Sequence, residues 1–257
     1  MDIKTSQCLK FCNFFFTEML LVFDICQCYN QIGFICCIPN RKRKGRSLMD
    51  WIWIFCCILI GIFLKLYLWG PGKGSTVCKA AATFVSVCIS FSGALYFGGW
   101  SWTVCIAAFL CMVADIWIQY SLIPGVLVFL SAHLFFIAWM FFSGGQLGWN
   151  LLFSAIVCGF LLWGYRRWLK AFGSQSLFLS VYLFILLCMA FTAASIPFTR
   201  QSAGVWMLLA GALCFVASDL ILGASIITGK KSEWKDKAVM LLYEPAVFLL
   251  TLSVFYQ

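Results

Sequence analysis

From Met49 to the C-terminus the chain is a succession of apolar runs, broken at short intervals where Gly, Pro, Lys or Arg accumulate. Hydrocarbon offers backbone groups no water to bond, so a segment that crosses it must be a helix of about 20 apolar residues. Runs of that order cover 49–69, 79–98, 101–120, 123–142, 148–165, 175–196, 204–227 and 238–255. With 63% hydrophobic and 11% charged residues the chain cannot clothe a soluble globule in polar surface. The expected fold is therefore an all-α integral membrane protein, a bundle of about eight transmembrane helices. Its short connections make consecutive helices antiparallel neighbours. Small residues such as Gly93, Ala94, Gly204, Ala210 and Gly211 would let helices approach closely.

Residues 1–47 read differently. Glu18, Asp24, Gln27, Asn30 and Gln31 interrupt the apolar letters, so no span is expected there. No basic n-region with a clean apolar run and cleavage site opens the chain, so the expected mature start is Met1. The division is a Cys-rich, basic extension over 1–47 and a transmembrane domain over 48–257. Cys36 and Cys37 precede Arg41, Lys42, Arg43, Lys44 and Arg46, a setting in which thiols are palmitoylated and anionic lipid is attracted; a poorly ordered extension is the plainer reading. Cysteines in the apolar runs act as small hydrophobes. The charge pattern suggests lipid headgroups and no nucleic acid.

Ionisable residues inside spans are costly and mark function. Two related stretches each carry one: Cys111 to Ile116 reads CMVADI and Cys214 to Leu220 reads CFVASDL, delivering Asp115 and Asp219 to similar places on parallel helices. His133, the chain's single histidine, lies nearer mid-membrane, and Tyr243 and Glu244 lie in the last span. Tyr243 would otherwise be an interfacial anchor, and Glu244, before Pro245, a first-turn acid facing the helix dipole. His133, Asp115 and Asp219 could ligate zinc, yet no HxxxH or HExxH spacing supports it, so neither a metal nor a cofactor is expected. An intramembrane aspartyl protease would need a GxGD that the chain lacks.

Alternating the spans gathers Lys73, Lys79, Arg166, Arg167, Lys170, Lys230, Lys231, Lys235 and Lys237 on one side, against Arg200 and the basic cluster near residue 41 on the other. The positive-inside rule assigns the first of these faces to the cytosol. Asp115, Asp219 and Tyr243 lie toward that same face, below a basic rim.

Ala114-Asp115, Ser131-Ala132-His133-Leu134, Gly211-Ala212-Leu213-Cys214-Phe215 with Ser218-Asp219, and Tyr243 with Ala246 together resemble the YhhN-like lysoplasmalogenase family over about residues 49–257. The chain departs from the family pattern at Ala114, at Lys79-Ala80 and in Tyr243-Glu244-Pro245-Ala246-Val247. The resemblance implies a membrane hydrolase that cleaves the vinyl ether of lysoplasmalogen to a fatty aldehyde and glycerophosphoethanolamine or glycerophosphocholine. Asp115 and Asp219 would be catalytic, with His133, Tyr243, Glu244 and Ser218 supporting them. Lys73, Lys79, Arg166 and Arg167 would hold the phosphate of a lysophospholipid drawn from the bilayer, in the endoplasmic reticulum or another intracellular membrane. Vinyl ether hydrolysis runs through an oxocarbenium ion, which suits one protonated and one ionised carboxyl group, as in glycosidases. A proton-coupled transporter or lipid-binding membrane protein would also carry paired carboxylates and stays open as the alternative.

Overall fold

Helix boundaries follow the apolar runs closely. The computed structural model describes residues 55–64, 66, 74–118, 120–169, 175–229 and 232–256. Among them lie α1 (Phe55–Leu64), α2 (Gly74–Phe97), α3 (Ser101–Trp117), α4 (Leu122–Phe142), α5 (Gly148–Leu169), α6 (Gln175–Ser195), α7 (Ala203–Thr228) and α8 (Glu233–Leu252). Short 3₁₀ turns follow α6 and α8 at Ile196–Phe198 and Ser253–Phe255. Among the described residues there are no strands, and six helices, α2 and α4 to α8, are long and apolar enough to span a bilayer. The chain is thus an all-α membrane bundle. Residues from Leu59 onward form one compact unit. The expected extension over 1–47 and the start of the expected first span lie outside the described residues.

Local chemistry sets the helix ends. Gly98 and Gly99, at φ 65° and 53°, make a tight left-handed turn between α2 and α3 that residues with a Cβ rarely adopt. The Ser202 side chain accepts the Val205 N–H to cap α7. Gly229 ends α7 in the left-handed conformation. Helix α8 begins at Glu233, five residues before the expected start at 238, because Glu233 and Asp236 in its first turn face the positive end of the helix dipole.

Helix α8 is the axis of the unit. Its apolar window is 89% buried against 11% for α5 at the periphery. It packs against α7, α2 and α3; α4 joins α3 to α6, and α5 leans on α6. A Cβ added at Gly204 would meet the Ser253 carbonyl oxygen at 2.8 Å, and one at Gly211 the Leu250 side chain at 2.9 Å and the Ala246 carbonyl oxygen at 3.0 Å. These glycines bring α7 and α8 into close contact. The core beneath holds Phe136, Met140, Leu186, Met189 and Phe215. Cys105, Cys111, Cys158 and Cys188 are thiols buried among apolar neighbours.

Candidate active site

On α2, Lys79, Thr83, Ser86 and Ser90 recur at helical spacing and so share one face. Thr83, Ser86 and Ser90 are buried, and Lys79 is largely so. Lys79 Nζ stands 2.8 Å from Asp115 Oδ1 at the end of α3. The Thr83 hydroxyl lies 2.8 Å from Asp115 Oδ2 and 3.3 Å from Glu244 Oε1 on α8. Tyr243 donates to the same Asp115 Oδ2 at 2.8 Å, and its ring centroid is 5.1 Å from Lys79 Nζ. Asp115 and Glu244 are both buried.

A second group gathers around Asp219. Tyr182 on α6 donates to Asp219 Oδ2, and His133 Nε2 stands 3.7 Å from that oxygen. His133 Nδ1 is 2.6 Å from the Phe129 carbonyl oxygen, which has no proton to give, so Nδ1 is the donor. Nε2 therefore faces Asp219 without a hydrogen-bond partner. Aromatic edges connect the two groups: Phe215 packs against His133 at 4.7 Å and against Tyr243 at 5.4 Å, centroid to centroid. Lys79 and Asp115 are both close enough to act on Asp219 electrostatically.

The two aspartates differ in what they face. Asp219 and Tyr182 line an apolar cavity of about 190 Å³ between α4, α5, α6 and α7, whose other walls include Phe129, Leu162, Tyr165 and Gly223. Asp115 is not in that lining. Helix α3 has 17 residues, about 26 Å at 1.5 Å each, less than the roughly 30 Å of a bilayer's hydrocarbon. Ile118, just beyond its end, is a wall of the cavity.

Lys79, expected at the rim for the phosphate, instead pairs with Asp115, because a buried carboxylate needs a counter-ion more than the headgroup layer needs another cation. Tyr243 is buried and bonded to Asp115, so it is no interfacial anchor. Glu244 lies eleven residues after Glu233 and is interior to α8, so it is no first-turn acid. Ser218 donates to the Val239 carbonyl at 3.1 Å, tying α7 to α8 beside the site. Arg166 is exposed near the end of α5 and lies over the Trp163 ring at 5.4 Å. Lys73 and the side chain of Arg167 lie outside the described residues. Thr83 and Tyr182 join the site without having been expected from the sequence. The polar stripe Lys79-Thr83-Ser86-Ser90 was the available signal for Thr83, whereas Tyr182 carried none beyond being a tyrosine in an apolar run. Among the described residues there is no cluster of metal-ligating side chains.

A multi-span helical bundle in which buried carboxylates, a histidine and tyrosines meet beside an apolar cavity defines a class of intramembrane proteins with an ionisable site. Within that class the chain belongs to the YhhN family, whose family model matches residues 73–254. No curated protein and no solved structure matches it significantly.

Proposed function

We propose that this protein hydrolyses the vinyl ether bond of lysoplasmalogen, with Asp219 as the acid that meets the substrate and Asp115 as a fixed anion behind it. The observation that carries the reading is the split environment of the two aspartates: Asp219 opens on an apolar cavity, while Asp115 is buried against Lys79, Tyr243 and Thr83. Lysoplasmalogenase is the known activity of the YhhN family, which supports the same assignment.

Asp115, with an ammonium on one oxygen and two hydroxyl donors on the other, has the surroundings of an ionised carboxylate. Asp219 holds the reacting proton, with His133 Nε2 and the Tyr182 hydroxyl to orient it. Its proton passes to the vinyl carbon that does not bear oxygen, and the electron pair of the double bond forms that C–H bond. The oxocarbenium ion left behind is stabilised by the Asp219 carboxylate and by the Asp115 charge. Water then adds at the oxygen-bearing carbon and returns a proton to Asp219, which serves as acid and then as base. The resulting hemiacetal separates into aldehyde and glycerophospholipid alcohol, so the proton count closes. The alkenyl chain occupies the cavity, and Arg166 at the end of α5 meets the phosphate.

Purified protein in detergent is offered lysoplasmalogen and, separately, the analogue with a saturated ether chain, and aldehyde release is followed. Aldehyde from the vinyl ether alone is the expected result. No aldehyde above a protein-free control overturns the reading, and equal cleavage of both lipids overturns the mechanism.

A further inference from the structure

Where α2, α3 and α8 meet, the hydroxyl hydrogens are fewer than the oxygens they face. The Thr83 hydroxyl owns one hydrogen and has three oxygens around it: Asp115 Oδ2 at 2.8 Å, Glu244 Oε1 at 3.3 Å and the Lys79 carbonyl at 3.3 Å. The shortest of these takes it. The hydrogen of Tyr243 goes to that same Asp115 oxygen, and the Lys79 ammonium stands against the other. Asp115 thus collects two hydroxyl hydrogens and a cation. Glu244, with no exposed surface, receives neither hydroxyl hydrogen, and its Oε2 has no hydrogen-bond partner.

Two carboxyl groups within bonding distance of one hydroxyl, in a buried pocket with one nearby ammonium, cannot both be ionised without leaving an uncompensated charge. A carboxylic acid at Glu244 removes the conflict: its Oε1–H donates to Thr83 Oγ1, whose lone pairs are otherwise unused, and the Thr83 hydrogen continues to Asp115. We propose that Glu244 is a neutral, proton-bearing acid, joined through Thr83 to Asp115, and that it acts as a positioning residue by holding Asp115 as the anion of the cluster. The donors run in one direction, Glu244 to Thr83 to Asp115. Lys79, Asp115, Thr83, Tyr243 and the Cys111 thiol are the polar groups that bear on this arrangement, from α2, α3 and α8. Glu244 is absent from the cavity lining and does not meet the substrate. This deepens the hydrolase reading and rests on it only where turnover is measured.

The carbonyl band of protonated carboxylic acids is recorded by infrared spectroscopy in H₂O and D₂O for the detergent-solubilised wild type, Glu244→Gln and Glu244→Leu, and kcat is measured on lysoplasmalogen. The wild type is expected to show a deuterium-sensitive component that both variants lack. Glu244→Leu, which has no donor for Thr83, is expected to lower kcat by about tenfold to about 10²-fold, the cost of misplacing a catalytic group. Glu244→Gln is expected to recover most of that loss, because its amide N–H donates to Thr83 as the acid does. A band identical in all three proteins overturns the proposal, as does a kcat for Glu244→Gln as low as that of Glu244→Leu. A wild type that releases no aldehyde sinks the hydrolase reading, while the infrared comparison still decides the state of Glu244.

Discussion

Lys79 and Arg166, both expected at a phosphate-binding rim, stand in different surroundings, and kinetics can separate their roles. Removing the ammonium in Lys79→Met leaves Asp115 buried without its counter-ion, a loss that costs about 3–5 kcal/mol when one partner of a buried pair is deleted. The expected outcome is a lower Tm in detergent together with a lower kcat. A variant with unchanged Tm and only a raised KM would return Lys79 to the headgroup role. Arg166 is exposed, so Arg166→Ala should raise KM on lysoplasmalogen and leave kcat alone, the signature of lost uniform binding. Asp219→Asn removes the proton at the cavity wall and is expected to cut turnover by about 10² to 10⁴-fold, with gel filtration in detergent unchanged; near-normal turnover would reject the acid assignment.

Helices were the most legible level of this molecule. The run at 123–142 becomes α4, Leu122–Phe142, and that at 204–227 becomes α7, Ala203–Thr228, because the thickness of hydrocarbon fixes run length and Gly or Ser ends it. The pairing of side chains between helices was less legible. A lysine one turn inside a span can reach outward to headgroups or inward to a carboxylate, and the sequence of α2 does not choose between them. Tyr182 and Thr83 were lost for a related reason, since a hydroxyl in an apolar run becomes a site residue only when another helix brings it an acceptor. The glycines of α7 were readable as contact points, and Gly211 tests that. Gly211→Val would drive side-chain atoms into Leu250 and the Ala246 carbonyl of α8, an overpacking worth about 1–3 kcal/mol or more. Gly159→Ala on α5 meets nothing within 4 Å and should hold or raise stability through helix propensity. A melting series in detergent in which Gly211→Val is no less stable than the wild type would break the close-contact account of α7 and α8.

For the molecule as a whole, sequence and geometry bear together on which membrane face the site serves. Alternation of the described helices puts the starts of α2, α4, α6 and α8 and the ends of α3, α5 and α7 on one side. Asp115 is two residues before the end of α3 and Lys79 five residues after the start of α2, so the site leans toward that side. Lys235 and Lys237 of α8 and Arg166 of α5 belong to the same end, which makes it the basic face, and the positive-inside rule predicts that it faces the cytosol. A single-chain phospholipid would then enter from the cytosolic leaflet with its phosphate at that face and its first chain carbons beside Asp219. Ser121 and Ser232 are exposed between helices at this end, Gln146 and Gln201 at the other. Each is replaced singly by cysteine, in a background without accessible native thiols, and labelled in intact cells with an impermeant reagent and again after permeabilisation. Ser121→Cys and Ser232→Cys are expected to react only once the cytosol is opened, and Gln146→Cys and Gln201→Cys from the opposite face. If Ser121 and Ser232 label from different faces, the alternation that brings Asp115 and Asp219 together is wrong. If the two pairs label with sides exchanged, the bundle stands and the substrate enters from the other leaflet.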